Sequence, residues 1–214
     1  MGVNCIILLL GDENLKEPFE KFIETNLSKG TLLIACGLPG TWKTETTQEV
    51  SKIKGYPILR TDLIRKEVLK GMDIFDEKIA NNYDIRKRVY DEMFKQADET
   101  LKKDNGVILD ATFVTQELRR RAAGIAAQQK KKFVILQTNC SKDASINRIL
   151  KRTKEKYESN ALTEQAYLNN LKKFEKVDLD DLKNLYPKLQ ILHLTVDTEL
   201  DPPKDWYIIN MVKR

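Results

Sequence analysis

The sequence predicts an α/β domain built on an open, five-stranded parallel sheet with helices on both faces. Two observations predict it. Short β-branched apolar runs alternate along the chain with longer, charged stretches of helical period, which is the pattern of βα units. The 214 residues, 41% hydrophobic and 32% charged, also contain no internal repeat and no Pro/Gly/Ser-rich linker, as expected for one domain with a core of ordinary size.

Taken in order, the first element is the apolar run Cys5-Ile6-Ile7-Leu8-Leu9-Leu10, closed at once by Gly11-Asp12-Glu13-Asn14. It is far short of the ~20 apolar residues that cross a bilayer. It also lacks the positive leader and small-residue cleavage site of a secretory signal. It therefore reads as a buried strand or helix, with no membrane anchoring and a cytoplasmic location. An amphipathic helix over Leu15 to Asn26 follows, and residues 1–30 read as an N-terminal extension packed on a domain of residues 31–214. Strands are expected at Thr31 to Cys36, Pro57 to Arg60, Gly106 to Leu109, Lys132 to Leu136 and Leu189 to Val196, because each is a short, nearly continuous apolar run. Helical spacing marks Thr44 to Lys54, Leu63 to Lys70, Tyr83 to Lys103, Glu117 to Gln129 and Ala144 to Lys156, with Ala161 to Leu185 helical as well. Right-handed crossovers then place helices on both faces of the sheet. The tail after Pro202-Pro203 carries Trp206, Tyr207 and Ile208, which read as packing residues.

The net charge of +5 and pI near 8.9 favour acidic partners such as nucleotides, phosphate esters or RNA. The basic runs Arg86-Lys87-Arg88, Arg119-Arg120-Arg121, Lys130-Lys131-Lys132 and Lys151-Arg152-Thr153-Lys154 lie within or beside helical patterns, where solvated charge is common. Three scattered cysteines, Cys5, Cys36 and Cys140, and the single His193 argue against a disulfide framework and a structural zinc site. Any metal would be held by oxygens. His193 alternates with apolar neighbours and reads as a packed strand histidine.

The chemistry concentrates where the first sheet strand runs into Gly37-Leu38-Pro39-Gly40-Thr41-Trp42-Lys43-Thr44. This is close to the phosphate-loop pattern G-x-x-x-x-G-K-[ST]. In that pattern backbone N–H groups and a helix N-terminus surround phosphates, the Lys reaches the outer groups, and the hydroxyl meets Mg²⁺. Gly37, Lys43 and Thr44 hold the required offsets, while Trp42 stands where the second glycine belongs. Glycine there lets the backbone turn and approach phosphate without a Cβ. An indole at this place either blocks the site or turns outward to stack elsewhere.

Further along, Arg60-Thr61-Asp62-Leu63-Ile64-Arg65 puts Asp62 and Arg65 at the carboxyl end of a strand, where open parallel sheets bind ligands. Asp62 can act as base toward an attacking hydroxyl and Arg65 can hold the acceptor; the alternative is a helix-capping Asp with a surface Arg. Val107-Ile108-Leu109 delivers Asp110, either a carboxylate behind the metal or a turn residue. Arg148 and Arg152, four apart, either close over a transferring phosphate or belong to a solvated helix face.

Together these residues resemble the P-loop kinases of the polynucleotide-kinase and zeta-toxin group over roughly Thr31 to Phe174. The resemblance rests on the Gly37-to-Thr44 loop, Thr61-Asp62-Leu63-Ile64-Arg65-Lys66-Glu67-Val68-Leu69-Lys70-Gly71, Tyr83 and Tyr90, Ile108-Leu109-Asp110-Ala111-Thr112-Phe113, and the Arg148/Arg152 pair. It implies a P-loop NTPase fold with kinase-like topology and the phosphate-loop strand in the middle of the sheet. It also implies ATP-dependent phosphoryl transfer to a hydroxyl of a small molecule or a nucleic-acid 5′-end. ATP would sit on Gly37, Leu38, Pro39, Gly40, Thr41, Trp42, Lys43, Thr44 and Glu45, with Mg²⁺ on Thr44 and Asp110. Lys43, Asp62, Arg65, Arg148 and Arg152 would act catalytically, and Arg119 would be a further acceptor-side arginine. Because Trp42 departs from the pattern, a nucleotide- or RNA-binding protein with weakened catalysis is the second reading. A regulatory GTPase is disfavoured because no Asn-Lys-x-Asp base-reading motif is present, and a motor ATPase because the chain has little room for a further helical domain.

Overall fold

The computed structural model describes residues 15–70, 82–103, 106–152, 161–201 and 203–214. The apolar run Cys5 to Leu10, Gly71 and Lys154 lie outside these residues. A two-residue strand, β1 (Glu17–Pro18), leads into α1 (Phe19–Asn26), then β2 (Thr31–Cys36), α2 (Lys43–Lys54), β3 (Ile58–Arg60) and α3 (Thr61–Val68). The long helix α4 (Tyr83–Lys103), β4 (Gly106–Asp110), α5 (Gln116–Gln128) and β5 (Lys132–Asn139) follow. The chain continues through α6 (Lys142–Leu150), α7 (Glu164–Lys173), α8 (Leu179–Leu185) and β6 (Ile191–Asp197), and closes with a 3₁₀ turn (Pro203–Asp205) and β7 (Tyr207–Lys213).

Among the described residues the sheet has seven strands in the order β1-β7-β6-β5-β2-β4-β3, and it is mixed, which corrects the expected five-stranded parallel sheet. The five expected strands are its parallel part, with β2 between β4 and β5. The additional two are antiparallel: β7 returns beside β6, and β1 pairs with β7 at the edge. Continuous apolar runs mark strands buried on both faces. The tail Tyr207-Ile208-Ile209-Asn210-Met211-Val212-Lys213 is interrupted by polar residues and mostly half-buried, so its sequence carries no continuous apolar run to mark a strand.

Side chains of β2 alternate between two cores. Leu32, Ile34 and Cys36 face α4, α5 and α8 together with Val89, Met93, Phe113, Ala122 and Leu182. Leu33 faces the other way, with Phe19, Phe22 and Ile23 of α1, Val50 of α2 and Trp206. Burying each Leu, Ile or Phe contributes about 1.5–3 kcal/mol, so the central strand is held from both sides. The amphipathic segment Leu15 to Asn26 is helical only from Phe19, because Glu17 and Pro18 pair with Ile208 and Tyr207.

The expected helical stretch Ala161 to Leu185 is two helices with a break. The Glu175 N–H donates to the Val114 carbonyl (2.8 Å), and its carboxylate accepts from the Gln116 N–H (2.5 Å), which draws residues 174–177 against the β4–α5 connection. Asp178 then caps α8 by accepting from the Asp181 N–H at 2.9 Å.

Candidate phosphate site

The loop from Gly37 to Trp42 joins the carboxyl end of β2 to α2 and is pinned from several directions. Gly37 has φ 145°, and a Cβ there would lie 2.7 Å from Thr138 Oγ1. Gly40 has φ 82°, and a Cβ would strike the Ser145 carbonyl oxygen. Both glycines are thus required by the backbone angle and by close approach to β5 and α6. Thr41, buried, donates to the Leu38 carbonyl (2.8 Å) and bonds the Thr138 hydroxyl at 2.7 Å. Helices α5, α6, α7 and α8 begin with a side chain accepting from a first-turn N–H; α2, like α1 and α3, does not. Its opening amides therefore keep their donors facing the loop, where an anion is favoured.

Trp42 takes the left-handed conformation, φ 58° and ψ 32°, that a glycine at this position adopts without a Cβ penalty. Its indole Nε1 donates to Asp201 Oδ1 at 3.2 Å, and the Arg148 guanidinium lies 5.0 Å from the ring centre. The side chain extends toward the β5–β6 half of the sheet. Asp110 and Asp62 lie in the other half, at the ends of β4 and β3.

Lys43 Nζ reaches back across the loop to the Leu38 carbonyl at 2.6 Å, and Thr44 Oγ1 donates to Asp110 Oδ2 at 2.8 Å. Burial pushes the Asp110 carboxyl up to about 6, against the lowering influence of the Thr44 hydroxyl and the Lys43 and Arg60 charges. Burial also pulls Lys43 down to about 8, opposed by the Asp110 charge and reinforced by the Arg152 charge. Thr44 and Asp110 are hard oxygen donors side by side at the head of α2. Among the described residues no group of three His, Cys, Asp or Glu side chains could hold a metal. The pair suits Mg²⁺, which keeps waters and phosphate oxygens and takes only one or two protein carboxylates.

Asp62 lies inside the first turn of α3, which begins at Thr61, and ion-pairs with Arg65 at 2.8 Å. The residue in the cap position is Arg60, and it makes no side-chain cap bond. Arg60 Nε instead lies 3.5 Å from Asp110 Oδ2. The carboxyl ends of β3 and β4 therefore bring Arg60, Asp62, Arg65 and Asp110 into one charged group beside Thr44 and Lys43.

The arginine pair does not share a helix face. Helix α6 ends at Leu150, so Arg152 lies beyond it, with Nη1 donating to the Ala161 carbonyl at 3.4 Å. Arg148 points instead to the β6–β7 connection, where Nη2 donates to the Glu199 carbonyl (2.7 Å) and to Asp201 Oδ1 (2.9 Å), while Nη1 reaches the Gly40 carbonyl (3.3 Å). Arg119 is away from this group. It is fully buried, and its guanidinium donates to the carbonyls of Val114, Glu175 and Lys176, to Gln116 Oε1 and to the Cys36 thiol. Glu45 is half-buried on the first turn of α2. His193 Nε2 pairs with Gln137 Oε1 at 3.0 Å between β6 and β5, a packed strand histidine.

Sequence reading passed over Arg60, Thr138, Thr198 and Asp201. Arg60 and Thr138 stand at or near carboxyl ends of strands, a signal that was present. Thr198, whose hydroxyl donates to the Thr41 carbonyl at 3.1 Å, and Asp201 had none, because more than 150 residues separate them from the loop they support.

A family of AAA domains matches residues 32–177 of the chain. Solved structures share the fold at low identity. A gluconokinase from Sinorhizobium meliloti 1021 is 16% identical with a TM-score of 0.54, over 81% of this chain and 85% of that one. A sugar kinase from Janibacter sp. HTCC2649 is 14% identical with a TM-score of 0.56, over 82% and 88%. The shikimate kinase from Acinetobacter baumannii, in complex with shikimate, is 15% identical with a TM-score of 0.51, over 87% and 91%. No curated protein matches the sequence.

Proposed function

Because the chain belongs to the AAA domain family and has the fold of the P-loop kinases, we propose that it is a phosphotransferase moving the γ-phosphate of ATP to a hydroxyl of a small acceptor. The observation that carries this reading is the Thr44–Asp110 bond of 2.8 Å beside Lys43, with Asp62 and Arg65 at the end of the neighbouring strand. Nucleotide site, metal donors and a base then occupy one carboxyl edge of the sheet.

In this reading the amides of Gly37 to Thr44 and the first turn of α2 surround the phosphates. Lys43 leaves the Leu38 carbonyl for the phosphate oxygens. Thr44 and Asp110 would hold Mg²⁺, directly or through water, and that ion would supply charge neutralisation on the phosphates. Asp62 accepts the proton of the acceptor hydroxyl as its oxygen bonds the γ-phosphorus and ADP leaves. Arg65 holds Asp62 in place and offers its remaining donors to the acceptor. Arg152, whose charge is felt at Lys43, stands on the phosphate side. Glu45 borders the site from α2.

Gluconokinase and shikimate kinase among the structural neighbours support a small hydroxylated acceptor, and the basic balance of the chain leaves a nucleic-acid 5′-hydroxyl as the other outcome of an acceptor screen. We also propose the division into a 1–30 extension and a 31–214 domain, supported by the packing of Phe19, Phe22 and Ile23 against Val50 and Leu33. A cytoplasmic location is proposed as well; no helix among the described residues is long and apolar enough to cross a membrane.

The test is calorimetric titration of Mg·ATP into the wild type and Lys43→Ala, followed by turnover of Asp62→Asn on acceptors found by screening. The reading requires ATP binding that the Lys43 variant loses. It also requires turnover lowered by about 10²-fold or more in Asp62→Asn with ATP affinity held, as for loss of a general base. Equal ATP binding in wild type and Lys43→Ala, or undiminished turnover in Asp62→Asn, would sink it.

A further inference from the structure

The tryptophan in place of the second loop glycine is not left to bear its backbone strain alone. Its indole N–H and two nitrogens of Arg148, Nε at 3.1 Å and Nη2 at 2.9 Å, converge on a single oxygen, Asp201 Oδ1. The same Arg148 stacks on the indole and donates to the Gly40 carbonyl, so one guanidinium ties the loop at two residues. Arg148 is itself nearly buried, with a side chain 10% exposed, and is anchored further on the Glu199 carbonyl. Glu199 in turn holds the start of α6, accepting from the Ser141 N–H at 2.6 Å and its hydroxyl at 2.7 Å. Thr198, in the same connection, donates to the Thr41 carbonyl.

We propose that Asp201 is a positioning residue for the phosphate loop: through Trp42 and Arg148 it holds residue 42 in the left-handed conformation and keeps the indole on the β5–β6 side, away from the phosphate-binding amides. The argument is steric and electrostatic. A non-glycine residue in this conformation brings its Cβ too close to the following carbonyl oxygen, and it persists where surrounding contacts over-determine it. A carboxylate accepting from a guanidinium and an indole N–H at once holds both with charge-assisted bonds, screened on the Asp201 side, whose side chain is 67% exposed. A loop with glycine at this position would leave Asp201 holding Arg148 alone, so the part of its effect that runs through residue 42 exists only with the Trp42 substitution. The inference deepens the nucleotide-binding reading above and rests on it for its functional arm.

The experiment is a double-mutant cycle on the full chain, Asp201→Ala and Trp42→Gly singly and together, with Mg·ATP affinity as one readout and Trp42 fluorescence as the other. Asp201→Ala should weaken ATP binding roughly three- to fivefold in the wild-type background and by less than about twofold in Trp42→Gly, the difference measuring the coupling. Asp201→Asn, which keeps an acceptor and loses the charge, should fall between. Without nucleotide, Asp201→Ala should raise acrylamide quenching of Trp42, identified by its absence in Trp42→Phe, because the indole is released to solvent. A loss of equal size in both backgrounds, or quenching unchanged by Asp201→Ala, would overturn the proposal. If the wild type binds no ATP, the nucleotide reading itself has failed, and the quenching comparison still decides whether Asp201 holds Trp42.

Discussion

The Thr44 hydroxyl donates to Asp110 Oδ2 across 2.8 Å, joining the first turn of α2 to the carboxyl end of β4. Parallel pairing of β2 with β4 sets that approach, with Ile34 opposite Leu109. If the pair holds Mg²⁺, directly or through water, Thr44→Val and Asp110→Asn should each lower turnover by roughly 10- to 100-fold, as for loss of a metal-positioning group. Raising Mg²⁺ should partly restore Thr44→Val. Steady-state rates across a magnesium series check this, and rates independent of both substitutions would remove the pair from the site.

Gly40 and Gly55 separate two reasons for glycine. Both have positive φ, 82° and 71°, but a Cβ at Gly40 meets the Ser145 carbonyl while one at Gly55 meets nothing within 4 Å. Gly55→Ala should therefore cost only the conformational penalty, about 1 kcal/mol. Gly40→Ala should cost about 2–4 kcal/mol, because strain and collision add, and should weaken ATP binding. Urea melts of the two variants compare them directly.

Arg119 belongs to the core rather than to the acceptor. Its guanidinium satisfies the carbonyls of Val114, Glu175 and Lys176, with Phe174 beside it at 5.3 Å. Arg119→Met would remove the side-chain donor from the part-buried Glu175 and Lys176 carbonyls and the clasp it makes on residues 174–177, so a fall in unfolding free energy of about 1–3 kcal/mol is expected. Arg119→Lys should rescue little, because an ammonium cannot reproduce the planar fork. Unchanged stability, with KM for the acceptor raised, would return Arg119 to the acceptor side.

His193 makes stability depend on pH below neutrality. Burial, aided by the Arg119 charge, pulls its imidazole down to about 4 from an ordinary value near 6.5. Above about pH 6.5 both folded and unfolded chains hold it neutral and it contributes no slope. Between there and about pH 4 the unfolded chain takes up a proton that the folded chain refuses, so stability falls as pH falls, by up to about 3 kcal/mol. His193→Gln, which can still pair with Gln137, should flatten that part of the profile. Unfolding free energies at several pH values between 4 and 7 test it.

The five parallel strands, the α4 helix to its ends, and the phosphate loop with its strand on one side and its helix on the other were legible in the residue pattern alone. Apolar runs and the 3.6-residue period are local signals, and Gly37, Lys43 and Thr44 carry their chemistry in fixed spacing. Asp62 and Asp110 were legible because a parallel sheet presents the ends of its strands on one edge. The rest was set by contacts between segments far apart in the chain. Whether Trp42 faces the phosphates or turns from them depends on Asp201, 159 residues away, and whether Arg119 serves the acceptor or the core depends on a helix break at residues 174–177. The edge strands β1 and β7 likewise exist through each other's backbone groups rather than through a pattern of their own. Local sequence sets what a segment can be. Its partners, brought close by burial of two separate cores on the faces of one sheet, set which of those options has the lower free energy.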